Sequence, residues 1–336
     1  MKTISKFWYL LIIPVFLLTL TSCDRGEDPG GEITIPAFSL LKDQLILKNM
    51  DLDKILTSPN GVGFVAGAPA DADLAAFLAK YYIMDIRQAA DFANGHIQGA
   101  VNVPFANVLT EASKAGAKPI LVVCYTGQTA CYAVGLLRLS DYRDAQALKW
   151  GMSGWNASTA NAWNNAVTGN PANGHVNWTY DAAPANKVFS NPELTSFSQD
   201  GAQILKDRIA AVVAGGFKTV PYGDVLATPT SYHINNYYST ADYTSFGHIK
   251  GAFRINPLLL IDNSYLGLDP APTAKVATYC YTGQTSAIIT AYLNVLGYNA
   301  FSTTFGMNGL WNSNPAWGES INKWTPARSK NLPLVK

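Results

Sequence analysis

Short apolar runs alternate with helical periodicity through the chain. "KPILVV" (118–123) is apolar and rich in β-branched residues, the composition of a buried strand, and "AKVATY" (274–279) repeats that pattern. A helical period follows each, over 130–139 and over 286–296, with Gly297 as the stop signal of the second. Between strand and helix the same hexapeptide, CYTGQT, stands at 124–129 and again at 280–285. A fresh helical pattern opens in "NPELTSFSQDGAQILKDRIAAVVAGG" (191–216), whereas "NASTANAWNNAVTGNPANGHVNW" (156–178) is rich in Asn, Gly and Ala and reads as a surface excursion. A chain of 336 residues suits two domains of roughly 150 residues each. The boundary is expected near Ser190, dividing 35–190 from 191–336.

Charge removes several function classes. The 24 Lys and Arg nearly balance 23 Asp and Glu, and charged residues make up 14% of the chain, well under the globular average of about 25%. No basic stripe suits nucleic acid, and neither a cofactor nor a metal site is expected. The N-terminus is distinctive. Lys2 and Lys6 flank the start of "FWYLLIIPVFLLTL" (7–20), an apolar run too short to cross a hydrocarbon core of about 30 Å as a helix. Residues 1–22 therefore read as a signal peptide. Leu20-Thr21-Ser22-Cys23 resembles the lipobox of bacterial lipoproteins, which implies a lipidated Cys23, a polar tether over 23–34 and a membrane-anchored place in the cell envelope, facing the periplasm.

Three further cysteines remain, Cys124, Cys131 and Cys280, and an odd number argues against a disulfide framework. Cys131 has Ala287 as its counterpart and reads as a small buried residue on a helix. Cys124 and Cys280 each stand between a strand and a helix, where loop N–H groups and the helix dipole converge on one point. Gly127 and Gly283 let the loop curl round the sulfur, and Thr129 and Thr285 add a hydroxyl at the helix start. A nucleophilic cysteine with a lowered pKa is expected at both positions.

The neighbouring segments repeat too. "FANGHIQGAVNVP" (92–104) parallels "YTSFGHIKGAFRINP" (243–257), and "KWGMSGWN" (149–156) parallels "TFGMNGLWN" (304–312). The order Asp-Ile-Arg, Gly-His-Ile-x-Gly-Ala, Cys-x-x-Gly-x-Thr and Gly-x-x-Gly-x-Trp resembles the rhodanese family of sulfurtransferases. The resemblance implies an α/β fold of two tandem rhodanese-like domains, each a small parallel sheet flanked by helices. It also implies sulfur transfer through a cysteine persulfide, from a small sulfur-donor anion such as thiosulfate to a thiol or cyanide acceptor. Cys124 and Cys280 would be the nucleophiles. Tyr125, Thr126, Gly127, Gln128 and Thr129, with Tyr281, Thr282, Gly283, Gln284 and Thr285, would cradle the substrate. Arg254 is the one cation expected near a loop. Asp85 and Arg87 supply the first copy's Asp-x-Arg, for which Asn236 stands in register in the second. His96 and His248 are expected to be structural, and Trp150 and Trp155 to fill the core. Neither Ala130 nor Ser286 can grip phosphate as the loop-ending arginine of related phosphatases does. The alternative is a binding or thiol-sensing module without turnover.

Overall fold

The two apolar runs become the central strands of two parallel sheets in the computed structural model, which describes residues 35–336. The expected leader (1–22), Cys23 and the tether (23–34) lie outside the described residues. The first sheet holds β1 (Val65–Ala66), β2 (Tyr82–Asp85), β3 (Val101–Asn102), β4 (Ile120–Val123) and β5 (Gln146–Leu148) in the order β1-β5-β4-β2-β3. The β4 strand pairs in parallel with both β2 and β5. All four of its residues are buried, as befits a parallel strand covered on both faces. The second sheet holds β7 (Thr219–Val220), β8 (His233–Asn236), β10 (Val276–Tyr279) and β11 (Ala300–Thr303) in the order β7-β11-β10-β8. Here β10 is the buried central strand. A small antiparallel ribbon joins β6 (Trp178–Thr179) to β9 (His248–Ile249).

Each central strand runs through its hexapeptide into a long helix, Gln128–Leu139 in the first half and Gln284–Leu296 in the second. Both start two residues before the apolar period does. The reason is local: Thr126 and Thr282 Oγ1 accept the N–H of Gln128 and Gln284 at 3.5 and 3.2 Å, and Gly127 and Gly283 take left-handed conformations, φ +84° and +73°. Side chains are buried all round both helices, which marks core helices rather than surface ones. The two pack on each other closely enough that a Cβ on Gly135 would lie 3.1 Å from that of Ala291.

Three further contacts interlock the halves. The helix Ala37–Leu47 places Phe38, Leu41 and Leu45 in one core with Ile204, Leu205 and Ile209 of the helix Gly201–Gly215. Asp51, buried, accepts the N–H groups of Leu52, Leu260 and Ile261 and the Tyr292 hydroxyl. Near the chain's end, Val335 bridges to His96 and Pro333 accepts the Trp155 indole N–H. Residues 35–336 thus pack as one compact unit.

The Asn-rich segment 156–178 corrects an expectation. It is no simple surface excursion, because Trp163 is fully buried in an aromatic cluster with Trp150 and Trp324 and Trp178 pairs with Ile249 in the ribbon. Two tryptophans, each with a large apolar surface to bury, outweigh the polar average of the stretch. Among the described residues no helix is long and apolar enough to cross a membrane.

Candidate active site

Cys124 closes β4, and its Sγ accepts the N–H groups of Gly127 at 3.1 Å and Ala130 at 3.3 Å. Cys280 closes β10, where Sγ accepts the Ser286 N–H at 3.3 Å and lies 3.7 Å from Ser286 Oγ. Ser286 Oγ in turn meets Ser302 Oγ at 2.9 Å. The expected convergence of N–H groups on the sulfur is seen at Cys124, whereas Cys280 receives a single N–H. Both thiols are free, and 3% and 1% exposed.

At Cys124 that burial corrects the expected lowering of the thiol pKa. Desolvation pushes the Cys124 thiol up from its ordinary value, while the N–H groups of Ala130, Thr126 and Gly127 pull it down and the Asp85 carboxylate adds a smaller upward push. Burial wins because removing a thiolate from water costs more than these bonds return. Cys131, fully buried on the loop helix, is pushed well above the ordinary value by the same cause and behaves as the structural residue expected.

The downstream motif holds the loops. After Gly151, the N–H of Met152 donates to the Cys124 carbonyl at 2.8 Å, and Ser153 donates to the Tyr125 carbonyl through both N–H and Oγ. After Gly306, Met307 and Asn308 do the same for Cys280 and Tyr281. Turning these carbonyls outward to the next short helix leaves the loop N–H groups free to face the sulfur. The glycines are required by proximity: a Cβ on Gly151 would lie 2.4 Å from the Cys124 carbonyl oxygen, and one on Gly306 2.1 Å from that of Cys280. Trp150 and Phe305, just before them, take φ of +68° and +57°, a costly region for aromatic residues, and both pack against Trp163.

Upstream, Arg87 forms a buried pair with Asp85 at 2.7 Å and donates to the Gly95 carbonyl. Asp85 also accepts the Arg87 N–H at 3.0 Å. Asn236 reproduces that turn without charge by accepting the N–H of Tyr238 at 3.0 Å, and Tyr238 stacks on Tyr281 with ring centroids 4.5 Å apart. The Tyr125 and Tyr281 hydroxyls donate to Asp91 and Asp242. His96 and His248 bond to the carbonyls of Phe92 and Tyr243, the structural role expected. A surface cavity of about 430 Å³ opens beside Tyr125, lined by Arg87, Asp91, Asn94, Thr159 and Asn161 among others.

Among the described residues, two expected groups make no hydrogen bond to the cysteine loops or their sulfurs. Arg254 donates to the Asn256 carbonyl, and among the described residues no hydrogen bond joins it to 280–285. A cation's position is set by the acceptors it finds, which register alone does not reveal. Nor do the half-buried Thr129 and Thr285 turn a hydroxyl to the sulfur; the helix starts are served by Thr126 and Thr282.

Sequence reasoning missed three residues. Asp51 and Arg138 carry no motif. Arg138 is buried, gives its guanidinium to the carbonyls of Ala145, Ile55, Val62 and Gly63, and is lowered to about 10 by desolvation. Trp163, whose indole N–H donates to the Thr126 carbonyl at 3.1 Å, was signalled only as a tryptophan in a polar stretch.

Residues 70–158 match the Rhodanese-like domain. The thiosulfate sulfurtransferase GlpE of Shewanella oneidensis is 35% identical over 79 residues, spanning 23% of this chain and 78% of that protein. The chain belongs to the rhodanese family. Among solved structures, the chain is similar to a thiosulfate sulfurtransferase from Pseudomonas aeruginosa, at 14% identity and a TM-score of 0.28, over 84% of this chain and 49% of that one. It is also similar to a 3-mercaptopyruvate sulfurtransferase from Leishmania major, at 15% identity and a TM-score of 0.26, over 76% of this rhodanese and 75% of that chain.

Proposed function

We propose that this rhodanese is a sulfurtransferase that moves sulfane sulfur from a small donor anion such as thiosulfate, through a cysteine persulfide, to a thiol or cyanide. The supporting observation is Cys124 Sγ at the centre of loop N–H groups, 3.1 Å from Gly127 N and 3.3 Å from Ala130 N. In the reaction the Cys124 thiolate attacks the donor's outer sulfur. The new S–S bond forms as the donor's S–S bond breaks, and sulfite leaves with the electron pair. The charge then rests on the terminal sulfur of the persulfide, which backbone donors stabilise as they would an oxyanion. An acceptor thiolate or cyanide attacks that sulfur and returns Cys124 as a thiolate. Cys280 takes the same role in the second half, with a hydroxyl on Ser286 where the first half has Ala130.

Two tandem units, 35–190 and 191–336, and a lipid anchor on Cys23 that holds the protein to a membrane facing the periplasm, complete the reading. Each rests on the sequence patterns described above. The alternative is a binding or thiol-sensing module without turnover. Cyanide-dependent formation of thiocyanate from thiosulfate decides between them. Turnover that Cys124→Ser and Cys280→Ser reduce supports the transferase. Folded protein with free thiols and no product from several donors supports the sensor.

A further inference from the structure

The two hexapeptide loops touch. The Gln284 side chain of the second loop donates from Nε2 to the Thr126 carbonyl of the first at 3.2 Å, and Gln128 of the first loop accepts the Phe305 N–H at 2.8 Å through Oε1. The contact is close on both sides: a Cβ on Gly127 would lie 2.3 Å from Gln284 Nε2, and one on Gly283 2.3 Å from Gln128 Oε1. The Thr126 carbonyl receives a second donor, the Trp163 indole N–H at 3.1 Å.

That carbonyl belongs to the same peptide unit as the Gly127 N–H, which donates to Cys124 Sγ at 3.1 Å. A peptide unit is rigid and turns as a whole. Because Gly127 tolerates either sign of φ, this unit could rotate and carry its N–H away from the sulfur. Two donors on its oxygen oppose that rotation, and they polarise the unit so that its N–H becomes a better donor to an anion. The second loop is an internal comparison. Among the described residues no donor meets the Thr282 carbonyl, and Gly283, though also left-handed, makes no bond to Cys280 Sγ, which has one backbone donor, the Ser286 N–H, beside the Ser286 hydroxyl at 3.7 Å.

We propose that Gln284 and Trp163 are positioning residues for Cys124: they pin the Thr126–Gly127 peptide, so that a side chain of the second loop completes the anion-stabilising nest of the first. The inference rests on Cys124 acting as a thiolate nucleophile, and it makes the two cysteine sites unequal by construction.

The test is the pH dependence of iodoacetamide alkylation, read separately at Cys124 and Cys280 by peptide mass spectrometry in the full chain, for the parent, Gln284→Met and Trp163→Phe. Methionine keeps the length of Gln284 without its N–H, and phenylalanine keeps the aromatic contact without the indole donor. The expected result is a rise of about half a unit in the apparent pKa at Cys124 in each variant, the scale of a 10–30% weakening of a charge-assisted bond plus lost orientation, with Cys280 moved less. A Cys124 profile unchanged in either folded variant overturns the proposal. So does an equal rise at both cysteines, which is the mark of general loosening. Should one variant fail to fold, the other decides alone. Alkylation needs no sulfur donor, so this outcome is independent of whether thiocyanate is formed.

Discussion

Replacing Gly151 by alanine tests why the Gly-Met-Ser-Gly-Trp segment (151–155) follows the cysteine loop. Gly151 has φ +61° and ψ −150°, in a region open almost only to glycine, where a side chain costs about 1–3 kcal/mol. The new methyl carbon would also lie 2.4, 2.6 and 2.7 Å from Cys124 O, Gly127 N and Thr126 N. All three are backbone atoms of the loop, so relief requires the loop or the following short helix to move. Such movement weakens the Met152 and Ser153 bonds to the Cys124 and Tyr125 carbonyls, at about 0.5–1.5 kcal/mol each. The total over three bonds and the strain is about 2.5–7.5 kcal/mol, which in a chain of this size lowers the melting temperature by on the order of 10 °C. Gly99 supplies the control. It has φ +79° and no atom within 4 Å of the point where a methyl carbon would sit, so Gly99→Ala should lose only about 1–2 kcal/mol of backbone strain. Thermal and urea unfolding of both variants measures the difference. Equal losses for Gly151→Ala and Gly99→Ala would refute the claim that the motif glycine exists to let the loop backbone pass.

Asp51→Ala removes a buried carboxylate that accepts from three N–H groups and the Tyr292 hydroxyl; stranding those donors should cost about 3–5 kcal/mol, and a loss under about 1 kcal/mol by urea unfolding would show that the halves do not depend on it. In the resting protein Cys124 alkylation should climb only above the free-cysteine range of about 8.5, because desolvation raises the thiol. The sign for stability follows: the raised folded-state value adds stability below the unfolded thiol's pKa, and this is lost as pH rises through the folded value. A rate already at its plateau by neutral pH would contradict the burial argument.

The parts of the fold legible in the sequence were those with local causes. Two β-branched runs, two apolar helical periods and Gly297 located the central strands and the helices that follow them. The duplicated CYTGQT located both cysteines at the strand ends. What escaped depends on distant partners. Asp51 is explained only when Leu260, Ile261 and Tyr292 surround it, and Trp163 only when Thr126 meets its indole N–H. Arg254 shows the converse: its register with Asn102 is readable, while its acceptor, the Asn256 carbonyl, is not. The thiol pKa failed for a related reason. For Cys124, loop composition reveals the donors that stabilise a thiolate, but the burial that opposes them comes from how the sheet and the helix Gln128–Leu139 pack around it.

The central claim is that sulfur from a small donor is held on the loop cysteines. Intact-protein mass spectrometry after thiosulfate treatment tests it most directly, on the parent, Cys124→Ser, Cys280→Ser and the double variant. The account predicts two added sulfurs on the parent, one on each single variant and none on the double, with loading through Cys124 and Cys280 at different rates because their nests differ. Sulfur on the double variant would move the chemistry to another residue such as Cys131, and no sulfur on the folded parent with any of several donors would contradict the account.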